Sequence, residues 1–217
     1  MHFLIVNEHP TVVIGYISIL NVDPQFKDLI MHSATNSKHA YDSIYDAISK
    51  QIIYDLILID LDIVTSKKSP VSSCRQLVLW IKKLMPEAKI ILTTRNTEYL
   101  PVYDIWKLLQ PDGFAIKNDL NTNSIIDMIY QVVNGFIYKS PFVEECICKI
   151  WENEMLVEDY NRKIIYYLNM GYKTIEIQDL MSISQSAVQK RIVKMNKAFG
   201  VVDRNGLLKE IKRLGYL

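Results

Sequence analysis

The chain has 217 residues, 49% of them hydrophobic and 23% charged, enough apolar material for a real core in one large domain or two modest ones. Its three cysteines, Cys74, Cys146 and Cys148, do not imply disulfides, and a lone C-x-C pair is a poor zinc signal. The net charge of +1 hides an asymmetry. Residues 1–157 carry 14 Lys and Arg against 18 Asp and Glu, whereas residues 158–217 carry 11 against 6. A small basic block after an acidic one points to an anionic partner for the second block.

The opening "MHFLIVNEH" lacks the basic start of a secretion signal. No apolar run reaches the ~18 residues that span a bilayer. These features predict a soluble cytoplasmic protein without a membrane partner. "HFLIV" (2–6) reads as a strand buried on both faces. Pro10 suits a first helical turn, and Val13, Ile17 and Leu20 follow at helical spacing. "FKDLIMHSA" (26–34) predicts a second strand, and Ala40, Ile44 and Ile48 a second helix. "YDLILID" (54–60) is the third strand, and a polar loop follows over 64–73. "CRQLVLWIKKLM" (74–85) is an amphipathic helix ended by Pro86. "AKIILTT" (88–94), "YLPVYDIWKLL" (99–109), "GFAIK" (113–117) and "NSIIDMIYQVV" (123–133) predict strand, helix, strand and helix.

Five strand–helix alternations call for an α/β fold, a doubly wound five-stranded parallel sheet of order 2-1-3-4-5 over residues 1–135. Residues 136–157 read as a partly helical linker carrying Cys146 and Cys148. Residues 158–217 turn all-helical, a small module of four helices. In an open α/β sheet, ligands bind beyond the carboxyl ends of the strands, where strand order reverses. Asn7, Glu8, Asp60, Asp62, Thr93 and Lys117 all fall at such ends. Glu8 and Asp60 are the types of ligand that hold Mg2+, a hard cation needing few carboxylates. Asp60 is then the carboxylate that accepts a phosphoryl group, with Lys117 and Thr93 offsetting its charge.

"LIVNEHPTVVIGYISIL", "DLILIDLD", "IILTT" and "DGFAIK" together resemble the receiver domains of two-component response regulators. That resemblance implies Asp60 as phosphoacceptor, with Thr93 and Lys117 completing the catalytic set. It implies Thr93 and Phe114 as the switch pair. It also implies Mg2+ on Glu8, Asp60 and the Asp62 backbone, with a weak contribution from Asn7. Two departures stand out: Asn7 replaces an acid, and "LDIVTSKKSPVSS" replaces the usual turn after the phosphoacceptor.

"GYKTIEIQDLMSISQSAVQKRIVKMNKAFGV" (171–201) reads as helix, turn, helix. Val188, Ile192, Met195 and Phe199 form one apolar stripe. Lys190, Arg191, Lys194 and Lys197 add four positive charges to the same helix. The segment resembles the LuxR-type (NarL-like) helix-turn-helix through Gly171, Glu176, Ile177, Ile183, Ser184 and Val188. That resemblance implies Gln189, Lys190 and Val193 at base-reading positions and Lys194 and Lys197 near phosphates of double-stranded DNA. It implies a homodimer through the last helix, around Leu207, Leu208, Ile211 and Leu214. The chain is thus expected to be a response regulator and not an enzyme, a transcription factor phosphorylated at Asp60 by a sensor histidine kinase. The rivals are a phosphorylation-independent regulator, a metal-dependent phosphotransfer enzyme and a protein-interaction adaptor.

Overall fold

The computed structural model describes residues 1–63 and 70–217. Most of the polar loop expected over 64–73 lies outside the described residues. The chain divides into two compact units, Met1–Thr97 with Ile105–Glu144, and Glu98–Asp104 with Glu145–Leu217.

The first unit is a parallel sheet with helices. In chain order it runs β1 (His2–Val6), α1 (Pro10–Val22), β2 (Ile30–Ala34), α2 (Ser37–Ser49), β3 (Leu56–Asp60), α3 (Cys74–Leu84), β4 (Lys89–Thr94), α4 (Tyr99–Leu109), β5 (Gly113–Ile116), α5 (Thr122–Val133) and β6 (Tyr138–Lys139). The strand order is β2-β1-β3-β4-β5-β6. The doubly wound order expected from the sequence is there, with one strand more than the five predicted. β6 pairs parallel with β5 and falls in the stretch that the sequence assigns to the linker, because a two-residue strand carries no periodic pattern.

The strands are apolar throughout because both faces are covered. Phe3, Ile5, Leu56, Leu58, Ile91 and Ala115 join Val13, Tyr16 and Leu20 of α1 and Met128, Ile129 and Val132 of α5 in one core. Alternate residues such as Leu4, Val6, Ile57, Ile59 and Leu92 point away from that cluster and are equally buried. Gly113 lets α5 pack tightly against the sheet. A Cβ there would meet Ile91 Cγ1 and Val132 Cγ2, both at 3.0 Å.

β6 is fixed by a short hydrogen-bond relay. The Ser140 amide donates to the Phe114 carbonyl (2.9 Å), and the Ile116 amide donates to Ser140 Oγ (3.1 Å). Ser140 Oγ in turn donates to Asp119 Oδ2 at 2.6 Å. The segment after β5 therefore closes the sheet edge, which the sequence reading left open.

The second unit is all-helical: α6 (Pro141–Trp151), α7 (Glu154–Val157), α8 (Asp159–Asn169), α9 (Thr174–Met181), α10 (Gln185–Ala198) and α11 (Arg204–Arg213), with the first two turns of α4 packed among them. Its core includes Ile164, Ile165 and Leu168 of α8, Ile177 of α9, Val188, Ile192 and Met195 of α10, and Leu207 and Ile211 of α11. Arg162 is 1% exposed and fully engaged. Its Nε donates to Asp104 (2.7 Å), and Nη1 donates to the carbonyls of Leu156 and Val157 (both 2.7 Å). Nη2 meets Asp159 at 3.0 Å, and the guanidinium lies 4.9 Å from the centre of the Tyr103 ring.

Candidate functional site

At the carboxyl end of β3, Asp60 is 1% exposed. A carboxylate so placed must be compensated, and here it is. Lys117, which follows β5, donates from Nζ to Asp60 Oδ2 at 2.6 Å. Asn7, which follows β1, donates from Nδ2 to the same oxygen at 3.0 Å. The Asp62 amide donates to Oδ1 at 3.0 Å. Three chain segments thus converge on one acid, at the edge where strand order reverses.

Asp62 forms a second node. Thr94 Oγ1 donates to its Oδ1 (2.7 Å), the Arg95 amide donates to Oδ2 (2.8 Å), and Lys117 Nζ sits 3.0 Å from Oδ2. Burial opposes ionisation of Asp62. The Thr94 and Lys117 hydrogen bonds and the Arg95 amide outweigh it and hold the carboxyl below its usual range. This side-chain role was not foreseen, since only the Asp62 backbone was expected to matter. The cue lay in "TTR" (93–95), whose second hydroxyl and following amide stand across from the β3 end.

Thr93 is the register partner of Asp60, and its buried Oγ1 has no hydrogen-bond partner among the described residues. Phe114, the other member of the expected switch pair, is completely buried in β5. Glu8 sits 3.4 Å from its neighbour His9. Cys74 is buried nearby, and burial, with the charges of Asp60 and Asp62, pushes its thiol up to about 11.

The resemblance to receiver domains implies Mg2+. Among the described residues, no three His, Cys, Asp or Glu side chains converge on a point that could hold a metal. Both oxygens of Asp60 already accept hydrogen bonds, and the Asp62 carboxylate is spent on Thr94, Arg95 and Lys117. Asn7 is neutral and gives its amide to Asp60, while its own Oδ1 accepts the His9 amide at 2.8 Å. This donor set does not fit a firmly held hard cation.

The second unit offers a different surface. Ser182 closes α9 in the left-handed region, and Ser184 Oγ caps α10 by accepting the Ala187 amide at 3.2 Å. Glu176 reaches back to the Lys173 amide at 2.6 Å, the acidic half of a capping box. Helices α8, α9 and α11 all contact α10, which buries its Val188, Ile192 and Met195 stripe. The opposite face exposes Gln189, Lys190, Lys194 and Lys197, with Val193 65% exposed among them. Arg191 stands apart from that face. It turns to Glu158 (2.6 Å) and Asn161 (3.0 Å) and lies over the Tyr160 ring.

No family model matches the chain, and no curated protein does. Solved structures do match. RcsB from Salmonella enterica serovar Typhimurium, bound to promoter rprA with the phosphomimetic BeF3-, is 18% identical with a TM-score of 0.62 over 99% of each chain. A structure of two RcsB dimers bound to two parallel DNAs is 17% identical, with a TM-score of 0.63 over 98% of each chain. A response regulator RcsB–DNA complex is 17% identical, with a TM-score of 0.62 over 98% of each. The shared property is the fold. Both the sheet unit and the helical unit fall within it, since the match runs nearly end to end.

No helix among the described residues is long and apolar enough to cross a membrane.

Proposed function

We propose that this chain is a DNA-binding response regulator whose output element is α10. The observation that carries the reading is the division of α10 into a buried apolar stripe and an exposed face of Gln189, Lys190, Val193, Lys194 and Lys197. A capped helix after a tight turn, basic outward and apolar inward, suits the major groove. Lys194 and Lys197 supply phosphate contacts and affinity, and Gln189, Lys190 and Val193 supply base contacts and sequence choice. The likeness to RcsB–DNA complexes supports this reading, as do the dimers named among them. A homodimer of this chain would read two half-sites about one helical turn, ~10 bp, apart.

Replacing Lys190 and Lys194 together with Glu reverses two charges on an exposed face without touching the core. Affinity for duplex DNA at ~0.1 M salt should fall by at least ~100-fold, with a shallower salt dependence. Fluorescence anisotropy with labelled duplex measures both quantities, and circular dichroism checks the fold. Undiminished binding would remove α10 as the output.

The input we propose is Asp60, as acceptor of a phosphoryl group from a sensor histidine kinase. Lys117 at 2.6 Å and the orphaned Thr93 hydroxyl support it, being the donors a phosphoryl oxygen would meet. A second reading, regulation without phosphorylation, is favoured by the Asn7 amide on Asp60 and by the poor cation site. Acetyl phosphate labelling in Mg2+ separates the two. On the first reading the wild type gains a phosphoryl group and Asp60→Asn does not. Asn7→Asp should then raise Mg2+ affinity by roughly tenfold through one added carboxylate. If the wild type and Asn7→Asp both stay unlabelled while DNA binding persists, the second reading holds.

A further inference from the structure

The groove between α1 and α5 carries an unexplained feature. Its volume is about 440 Å3, and its walls include Val12, Gly15 and Ile19 on one side and Leu120 and Ile125 on the other. Asn7 and Lys117 also line it, and both hold Asp60, so the groove ends at the acidic cleft. The volume suits a small organic molecule, because ligand pockets run from roughly 300 to 1,000 Å3.

Gly15 lies in the interior of α1, where glycine costs roughly 0.5–1 kcal/mol relative to alanine. A Cβ at Gly15 would meet nothing within 4 Å, so no packing in this chain requires the missing side chain. What the glycine does is leave the groove open. Among the described residues, the charged lining has one sign, Arg95 and Lys117, with no Asp or Glu. Arg95 Nε is pinned to Asp62 at 3.3 Å, which anchors a mostly exposed guanidinium. Tyr16, itself largely buried, also lines the groove. Burial, followed by the Asp60 charge, pushes that phenol up to about 12, so it stays a donor.

We propose that this groove binds a small amphipathic organic anion, its apolar body against Val12, Ile19 and Ile125 and its carboxylate or sulfonate head toward Arg95 and Lys117. Such a head group competes with Asp60 for Lys117, so occupancy alters the partner of the buried acid. The proposal goes beyond the regulator reading and needs neither DNA binding nor phosphorylation.

The probe is 1-anilinonaphthalene-8-sulfonate, an aromatic sulfonate, titrated into the full chain by fluorescence. Its uncharged counterpart, N-phenyl-1-naphthylamine, serves as the control. Saturable sulfonate binding is expected, with the uncharged ring bound more weakly. Gly15→Leu fills the groove and should weaken sulfonate binding by at least about tenfold with Tm unchanged or raised. Gly15→Ala, a smaller filler, guards against a folding defect in the leucine variant and should weaken binding to a lesser degree. Arg95→Gln should weaken the sulfonate and leave the uncharged ring unaffected. Equal binding to wild type and Gly15→Leu would overturn the site, and equal affinity for both probes would overturn its preference for anions.

Discussion

Lys117→Met should lower the stability of the sheet unit by about 2–3 kcal/mol, the result of stranding Asp60. Breaking a fully buried ion pair costs about 3–5 kcal/mol, and the figure is reduced here because the lysine side chain is 24% exposed and admits water. Without Lys117, Asp60 keeps, among the described residues, the Asn7 amide and the Asp62 N–H as donors. The decisive comparison is the double variant. Asp60→Asn in the Lys117→Met background removes the unpaired charge and should recover most of the loss. Urea denaturation of the four proteins gives the coupling directly. Losses that simply add would mean that the lysine and the carboxylate do not depend on each other, and the account of the cleft would fail.

Arg162→Met should be the most damaging single change in the helical unit, at about 3–4 kcal/mol. Methionine matches much of the volume yet supplies none of the donors. The carbonyls of Leu156 and Val157 lose their partner inside the unit, and Asp104 loses its Arg162 cation while Asp159 keeps Lys163 at 2.7 Å. Asp104 and Asp159 are themselves partly exposed, so they can turn to water. The unpaired carbonyls therefore account for most of the cost. Arg162→Lys keeps the charge but cannot present a planar fork to four oxygens at once, and should recover less than half the loss. Guanidinium unfolding followed by tryptophan fluorescence and circular dichroism reports both numbers. A loss under about 1 kcal/mol for Arg162→Met would mean that water replaces the guanidinium without penalty.

The contrast between these two residues shows what a sequence exposes and what it hides. Lys117 was legible because it ends an apolar run, "GFAIK", at a spacing that topology converts into a position. Asp60 was legible for the same reason. Arg162 was not, since in "DYNRKIIYYLN" it reads as one more charge on a helical surface. Its principal acid, Asp104, is 58 residues away on α4. Nothing local signals such a pairing. Arg191 is a second case: its charge is plain in the sequence, but its partners Glu158 and Asn161, 33 and 30 residues away, are not. β6 escaped notice because strand signals need several alternating residues and this strand has two.

That short strand has a practical consequence for anyone dissecting the molecule. A recombinant piece ending at 135, where the apolar pattern of α5 runs out, would lack Tyr138 and Ser140. The carbonyls of Asp112 and Phe114 and the amide of Ile116 would lose their partners, leaving a naked, wholly apolar border ready to template a neighbouring molecule. Aggregates in such a preparation would then reflect where the gene was cut. A fragment carried through Glu144 keeps its own stopper.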